Sequence, residues 1–149
     1  DHAQMMNSLL WLVIFIGRMV GAAVTGKVSR SRILMADGFG LFVFFLVMFF
    51  SRTAGPVVLG LVGVGFFMAT IYPTAFAFGS DCIKGNDLGC SIMIFTGSAG
   101  GIITPAMVGF VAERAGIRAG MGLILAYTAL LLLSVILSVA SVQGAKSIE

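Results

Sequence analysis

The chain is 149 residues long, 59% hydrophobic and only 10% charged, with a mean hydropathy of +1.10. A soluble domain carries about 25% charged residues, so this balance excludes a cytosolic enzyme, a nucleic-acid-binding domain and a disordered chain together. The formal charge of +3 is accounted for by the basic residues that cytoplasmic membrane loops need.

Crossing about 30 Å of hydrocarbon takes roughly 20 mainly apolar residues at the helical rise. Five stretches qualify, at about 8–26, 33–51, 56–79, 90–112 and 119–142. Runs such as FVFFLVMFF and LLLLSVILSV lack the alternation of an outer-membrane strand, so the fold class expected is an all-α membrane domain of five transmembrane helices. The chain opens on Asp1 with no signal-peptide pattern before the first span, as expected of a segment of a longer polypeptide. Short connections predict that sequential helices are antiparallel neighbours.

In the first span, Arg18 lies near mid-depth, where an unpaired arginine is costly and demands compensation. It reads either as a substrate or coupling residue in a wet cavity, or as a structural cation that pairs or snorkels to the headgroups. In the second span, Asp37 follows Lys27, Arg30 and Arg32 closely enough to predict a bridge between the helix start and the basic loop. A carboxylate there also meets the positive end of the helix dipole; gating and proton or ion handling are both open to it.

Tyr72 and Pro73 fall inside the third span, within FFMATIYPTAFAF. Proline removes a backbone donor, and helices break within membranes mainly where protein or a wet cavity satisfies the freed carbonyl. A break is therefore expected at Pro73. The same reasoning applies to the fourth span, where Gly97, Gly100, Gly101 and Pro105 surround Thr96, Ser98 and Thr104. Glycines also recur at four-residue spacing, as Gly17 with Gly21 and Gly97 with Gly101, which equally serves close helix packing. The ring and hydroxyl of Tyr72 suit the carbon face and hydroxyls of a sugar.

Cys82 and Cys90 flank the polar stretch IKGNDLG, far in sequence from the one histidine, His2. They read as small apolar residues, and no metal site or cofactor is expected. Asp81, Asp87 and Glu113 are expected in loops as solvated charges. No nucleophile elbow, phosphate loop, haem pair or zinc pattern occurs, so an enzyme is not expected. Lys27, Arg30, Arg32, Lys84 and Lys146 total 5 on one side and Arg52, Arg114 and Arg118 total 3 on the other, which predicts a cytoplasmic C-terminus.

The segment GRMVGAAVTGKVSRSRIL, which joins two spans through a short basic loop, resembles the motif after the eighth helix of major facilitator superfamily transporters. With IYPTAFAFG and SAGGIITPAMVGFVAERAG, the chain is most similar to the fucose permease branch, the sugar:proton symporters. The resemblance covers nearly the whole chain and implies helices eight to twelve of a C-terminal six-helix bundle. It further implies a substrate held between two six-helix halves near the bilayer midplane, with the N-terminal half and its coupling carboxylates as partner. Lys27 and Arg32 match basic positions of the loop motif, Arg18 matches an arginine of the eighth helix, and Tyr72 falls in the cavity-lining stretch of the tenth. Gly26 stands where the full loop motif has aspartate, which leaves Asp37 as the candidate replacement in the cytoplasmic latch.

The leading expectation is thus a multi-pass protein of the cell membrane, plasma or inner, that takes up a sugar together with a proton or sodium ion by alternating access. Arg18, Tyr72, Thr96 and Thr104 are the candidate substrate residues. Lys27, Arg30, Arg32 and Asp37 are the candidate gating residues, and Pro73, Gly97, Gly100, Gly101 and Pro105 the flexible points. A drug or metabolite transporter of the same superfamily and a non-transporting membrane scaffold are the alternatives; a membrane-lipid enzyme ranks third, lacking any acid, base and nucleophile constellation.

Overall fold

A computed structural model of the chain describes residues 2–83 and 86–146, with no account of the side chains at 2, 3, 82 and 143–146. Lys84 and the side chains of His2, Cys82 and Lys146, used in the sequence argument, lie outside the described residues. Five helices follow in order: α1 (His2–Thr25), α2 (Arg30–Phe50), α3 (Ala54–Cys82), α4 (Asp87–Ala115) and α5 (Ile117–Lys146). All five are long and apolar enough to cross a membrane.

All five helices outrun the apolar intervals at one or both ends, because polar residues extend them. Arg30 and Ser31 open α2, and Ser80 and Asp81 extend α3. Asn86 caps α4, its side-chain oxygen accepting the Gly89 amide at 3.2 Å, which satisfies one of the orphan amides of the first turn. Asp81, Asp87 and Glu113 are therefore helical, not loop residues. Gly116 closes α4 at φ 90°, a conformation that favours glycine, and α5 begins at the next residue.

The spatial order departs from the chain order. α3 packs against both α1 and α2, α2 packs against α5, and α5 against α4, whereas α3 touches α4 only lightly. Close pairing of every sequential pair is thus corrected: α1 crosses over to α3. The cause lies in the α1 glycines. A β-carbon on Gly17 would sit 2.8 Å from the Phe66 carbonyl oxygen and 2.9 Å from Ala69 Cβ, and one on Gly21 would collide with the Thr70 methyl group. Only a residue without a side chain admits that approach.

Between α2 and α3 the contact is aromatic, with Phe44 and Phe67 stacked at 5.8 Å between ring centres. Leu34, Val135 and Val139 form the core between α2 and α5, joined by Ile71, Phe78 and Leu131. α4 contributes no buried residue and is held to α5 where a β-carbon on Gly120 would lie 2.9 Å from Ala112 Cβ and 3.3 Å from the Val108 carbonyl oxygen.

Pro73 and Pro105 lie inside continuous helices. The expected breaks at these prolines, and at Gly97, Gly100 and Gly101, are corrected accordingly: a missing donor loosens one turn while the flanking turns keep the helix whole.

Candidate functional site

A cavity of about 470 Å³ opens between α1 and α3, with Arg30 of α2 at one end. It holds Arg18 and Tyr72, the two candidate substrate residues on those helices, together with Thr25, Thr70 and Thr74. Its size falls within the range of small-molecule sites, about 300–1,000 Å³. Each lining group is placed by an identifiable local cause. The α1 glycine at Gly21 draws the helix onto α3, and the Thr25 hydroxyl donates to the Gly21 carbonyl at 2.6 Å, fixing one hydroxyl at the cavity edge. Pro73 has no amide to donate to the Ala69 carbonyl, and both residues line the cavity.

Arg18 is exposed and, among the described residues, makes no ion pair. Its guanidinium offers five donors in a fixed fork and no acceptor. Tyr72 is 61% exposed and presents a flat ring beside it. Together with three threonine hydroxyls, the cavity joins a cation, an aromatic face and neutral donors and acceptors around one space.

Thr96 and Thr104 do not line this cavity. Both sit on α4, and the Thr96 hydroxyl donates to its own helix at Ile92 O, 2.8 Å away. Gly97, one residue on, does reach the site: a β-carbon there would lie 3.7 Å from Tyr72 Cε2. Gly100 and Gly101 face no described atom within 4 Å.

The gating candidates separate. Lys27 lies in the turn after α1, its amide donating to Val24 O at 2.9 Å. Arg30 pairs with Asp81, the sole ion pair among the described residues, and Arg30 Nη1 also approaches the Ala77 carbonyl at 3.4 Å. This pair ties the α1–α2 turn to the far end of α3. The bridge expected from Asp37 to the basic loop does not form. Asp37 is buried at 5% exposure and lines a separate cavity with Arg32, while the loop's cation reaches Asp81 instead.

Sequence reasoning missed Thr25, Thr70 and Thr74 as cavity residues and Asp81 as the partner of Arg30. The four-residue spacing of Thr70 and Thr74 across Pro73 places both on one helix face, a signal that was present.

Five helices long and apolar enough to cross a membrane mark this chain as an integral, multi-pass membrane protein. No family model matches it, and no solved structure matches it. Among curated proteins it is similar to major facilitator superfamily domain-containing protein 4A. The Homo sapiens protein is 23% identical over 115 residues, covering 76% of this chain and 22% of the relative. The Xenopus tropicalis protein is 24% identical over 149 residues, covering 97% of this chain and 29% of the relative. The chain therefore spans less than a third of the length of these relatives, and the matches support a relationship to the major facilitator superfamily.

Proposed function

We propose that this chain is the C-terminal part, helices eight to twelve, of a secondary active transporter that moves a small hydroxylated solute, a sugar, by alternating access. The observation that carries the reading is the shared cavity of Arg18, Tyr72, Thr25, Thr70 and Thr74 between α1 and α3. The superfamily relatives support transport; the cavity chemistry supports the solute class.

The Tyr72 ring offers a flat apolar face to the C–H side of a sugar ring. Thr25 and Thr70 donate their hydroxyl protons to the carbonyls of Gly21 and Phe67, so their oxygens accept from solute hydroxyls while Arg18 donates to them. Such a site works between two bundles near the bilayer midplane, with an N-terminal half of the same polypeptide closing it. The Arg30–Asp81 pair then acts as a latch at one end of the bundle, and proton coupling drives the cycle. In this reading the protein resides in the cell membrane with a cytoplasmic C-terminus, and acts as a carrier rather than an enzyme.

The test is uptake by the native protein in proteoliposomes. Accumulation of a labelled hexose, displaced by unlabelled sugars, supports the reading. Displacement by lipophilic compounds alone replaces it with the drug or metabolite transporter, and the absence of any solute flux replaces it with the membrane scaffold.

A further inference from the structure

Asp37 stands apart from the cavity assigned to solute. Its Oδ2 is buried and, among the described residues, has no hydrogen-bond partner. It lines a second cavity of about 340 Å³ between α1, α2 and α3, with Arg32 and Thr70. Gly21 and Thr70 line both cavities, so a single helix contact separates the space of Arg18 from that of Asp37.

The groups around Asp37 can be named helix by helix. α1 presents Gly17, Val20, Gly21 and Val24, and α3 presents Phe66 and Thr70, none of them charged. α5 lies against the neighbouring Gly38 with Leu131, Leu132 and Val135, again uncharged. On α2 itself Arg32 is the one charged residue sharing the cavity, and among the described residues it makes no ion pair with Asp37. Arg18 lies beyond the Gly21–Thr70 wall.

A carboxylate removed from water needs a counter-ion, a full set of hydrogen bonds, or a proton. Thr70 supplies the one side-chain hydroxyl beside the carboxyl group, Oδ2 has no hydrogen bond, and among the described residues the side chain makes no ion pair. A hard metal cation would need several oxygen ligands, yet among the described residues only Asp37 and Thr70 bring side-chain oxygens to this cavity. The proton is what remains.

We infer that Asp37 is the proton-loading group of this protein. A proton from water on one side of the membrane binds Oδ2, giving the neutral acid that the packed α1–α2–α3 contact accommodates. When the helices part, the proton leaves to water on the other side, and the carboxylate so formed is neutralised by Arg32 or by Arg18 across the wall. This inference rests on the transporter reading, because it assigns the coupling ion a seat beside the solute cavity.

Infrared difference spectroscopy of the native protein in lipid, recorded between acidic and alkaline buffer, reads the C=O stretch of a carboxylic acid directly. The expected result is a carboxylic-acid band that Asp37→Asn loses and Asp37→Glu displaces. A spectrum in which neither variant alters any carboxylic-acid band overturns the inference. In proteoliposomes, Asp37→Asn is expected to lose the stimulation of uptake by an imposed proton gradient, and retained stimulation also overturns it. Should the wild-type protein move no solute, the transporter reading fails, while the infrared band still decides whether Asp37 carries a proton. Should Asp37→Asn fail to fold, Asp37→Glu carries both measurements.

Discussion

Gly97 of α4 faces Tyr72 of α3 so closely that a β-carbon on the glycine would lie 3.7 Å from the ring and 4.0 Å from the hydroxyl oxygen. A single added carbon makes ordinary contact there, but a longer branched side chain has to displace the ring. Gly97→Leu is expected to push Tyr72 into the cavity and raise the KM for solute several-fold, read from the concentration dependence of uptake. An unchanged KM would show that the ring's position is irrelevant to the solute.

Tyr72 itself lends two separable contributions, a ring face and a hydroxyl. Tyr72→Ala removes both and is expected to weaken solute binding about tenfold, equivalent to about 1.4 kcal/mol. Tyr72→Phe keeps the ring and is expected to recover part of that loss. Equilibrium binding by calorimetry on the purified native protein distinguishes the two, and equal affinity in all three proteins would remove Tyr72 from the site.

The contact of α1 with α3 depends on Gly17, where a β-carbon would fall 2.8 Å from a backbone oxygen that cannot move aside cheaply. Gly17→Leu is expected to destabilise the helix pair by about 1–3 kcal/mol, as overpacking does, lowering the thermal midpoint in detergent. Gly101→Ala on α4, with nothing described within 4 Å, serves as the control and is expected to leave the midpoint in place.

Arg30 and Asp81 are 43% and 49% exposed, so their attraction is screened by water. Their coupling in a double-mutant cycle of Arg30→Ala and Asp81→Asn is expected to be about 0.2–1 kcal/mol, shrinking as salt is added. A coupling of several kcal/mol, insensitive to salt, would contradict the exposed geometry.

The five helices were legible because apolar runs of spanning length leave few alternatives to the chain. Which helices touch was not. In a helix that is apolar nearly all round, composition marks no inward face, so the crossing of α1 to α3 came from the fit of Gly17 and Gly21 against Ala69 and Thr70, a three-dimensional match that no local pattern encodes. The same limit divides the site residues. Arg18 and Tyr72 were readable as polar groups in apolar runs, and both line the α1–α3 cavity. Thr96 carried the same signal, yet it sits on α4 and does not line that cavity. Asp37 was read toward the nearby cations in sequence, but the helix turns it inward, and Asp81, distant along the chain, takes Arg30.

The notch at Gly120, which seats α5 against Ala112 and the Val108 carbonyl, fastens α4 to α5 along one seam. With no residue of α4 buried, that seam and the α2–α5 core of Leu34, Val135 and Val139 are what seat α4 in the bundle. The place of Gly97 beside Tyr72 is therefore set through two apolar seams, neither of which touches the ring.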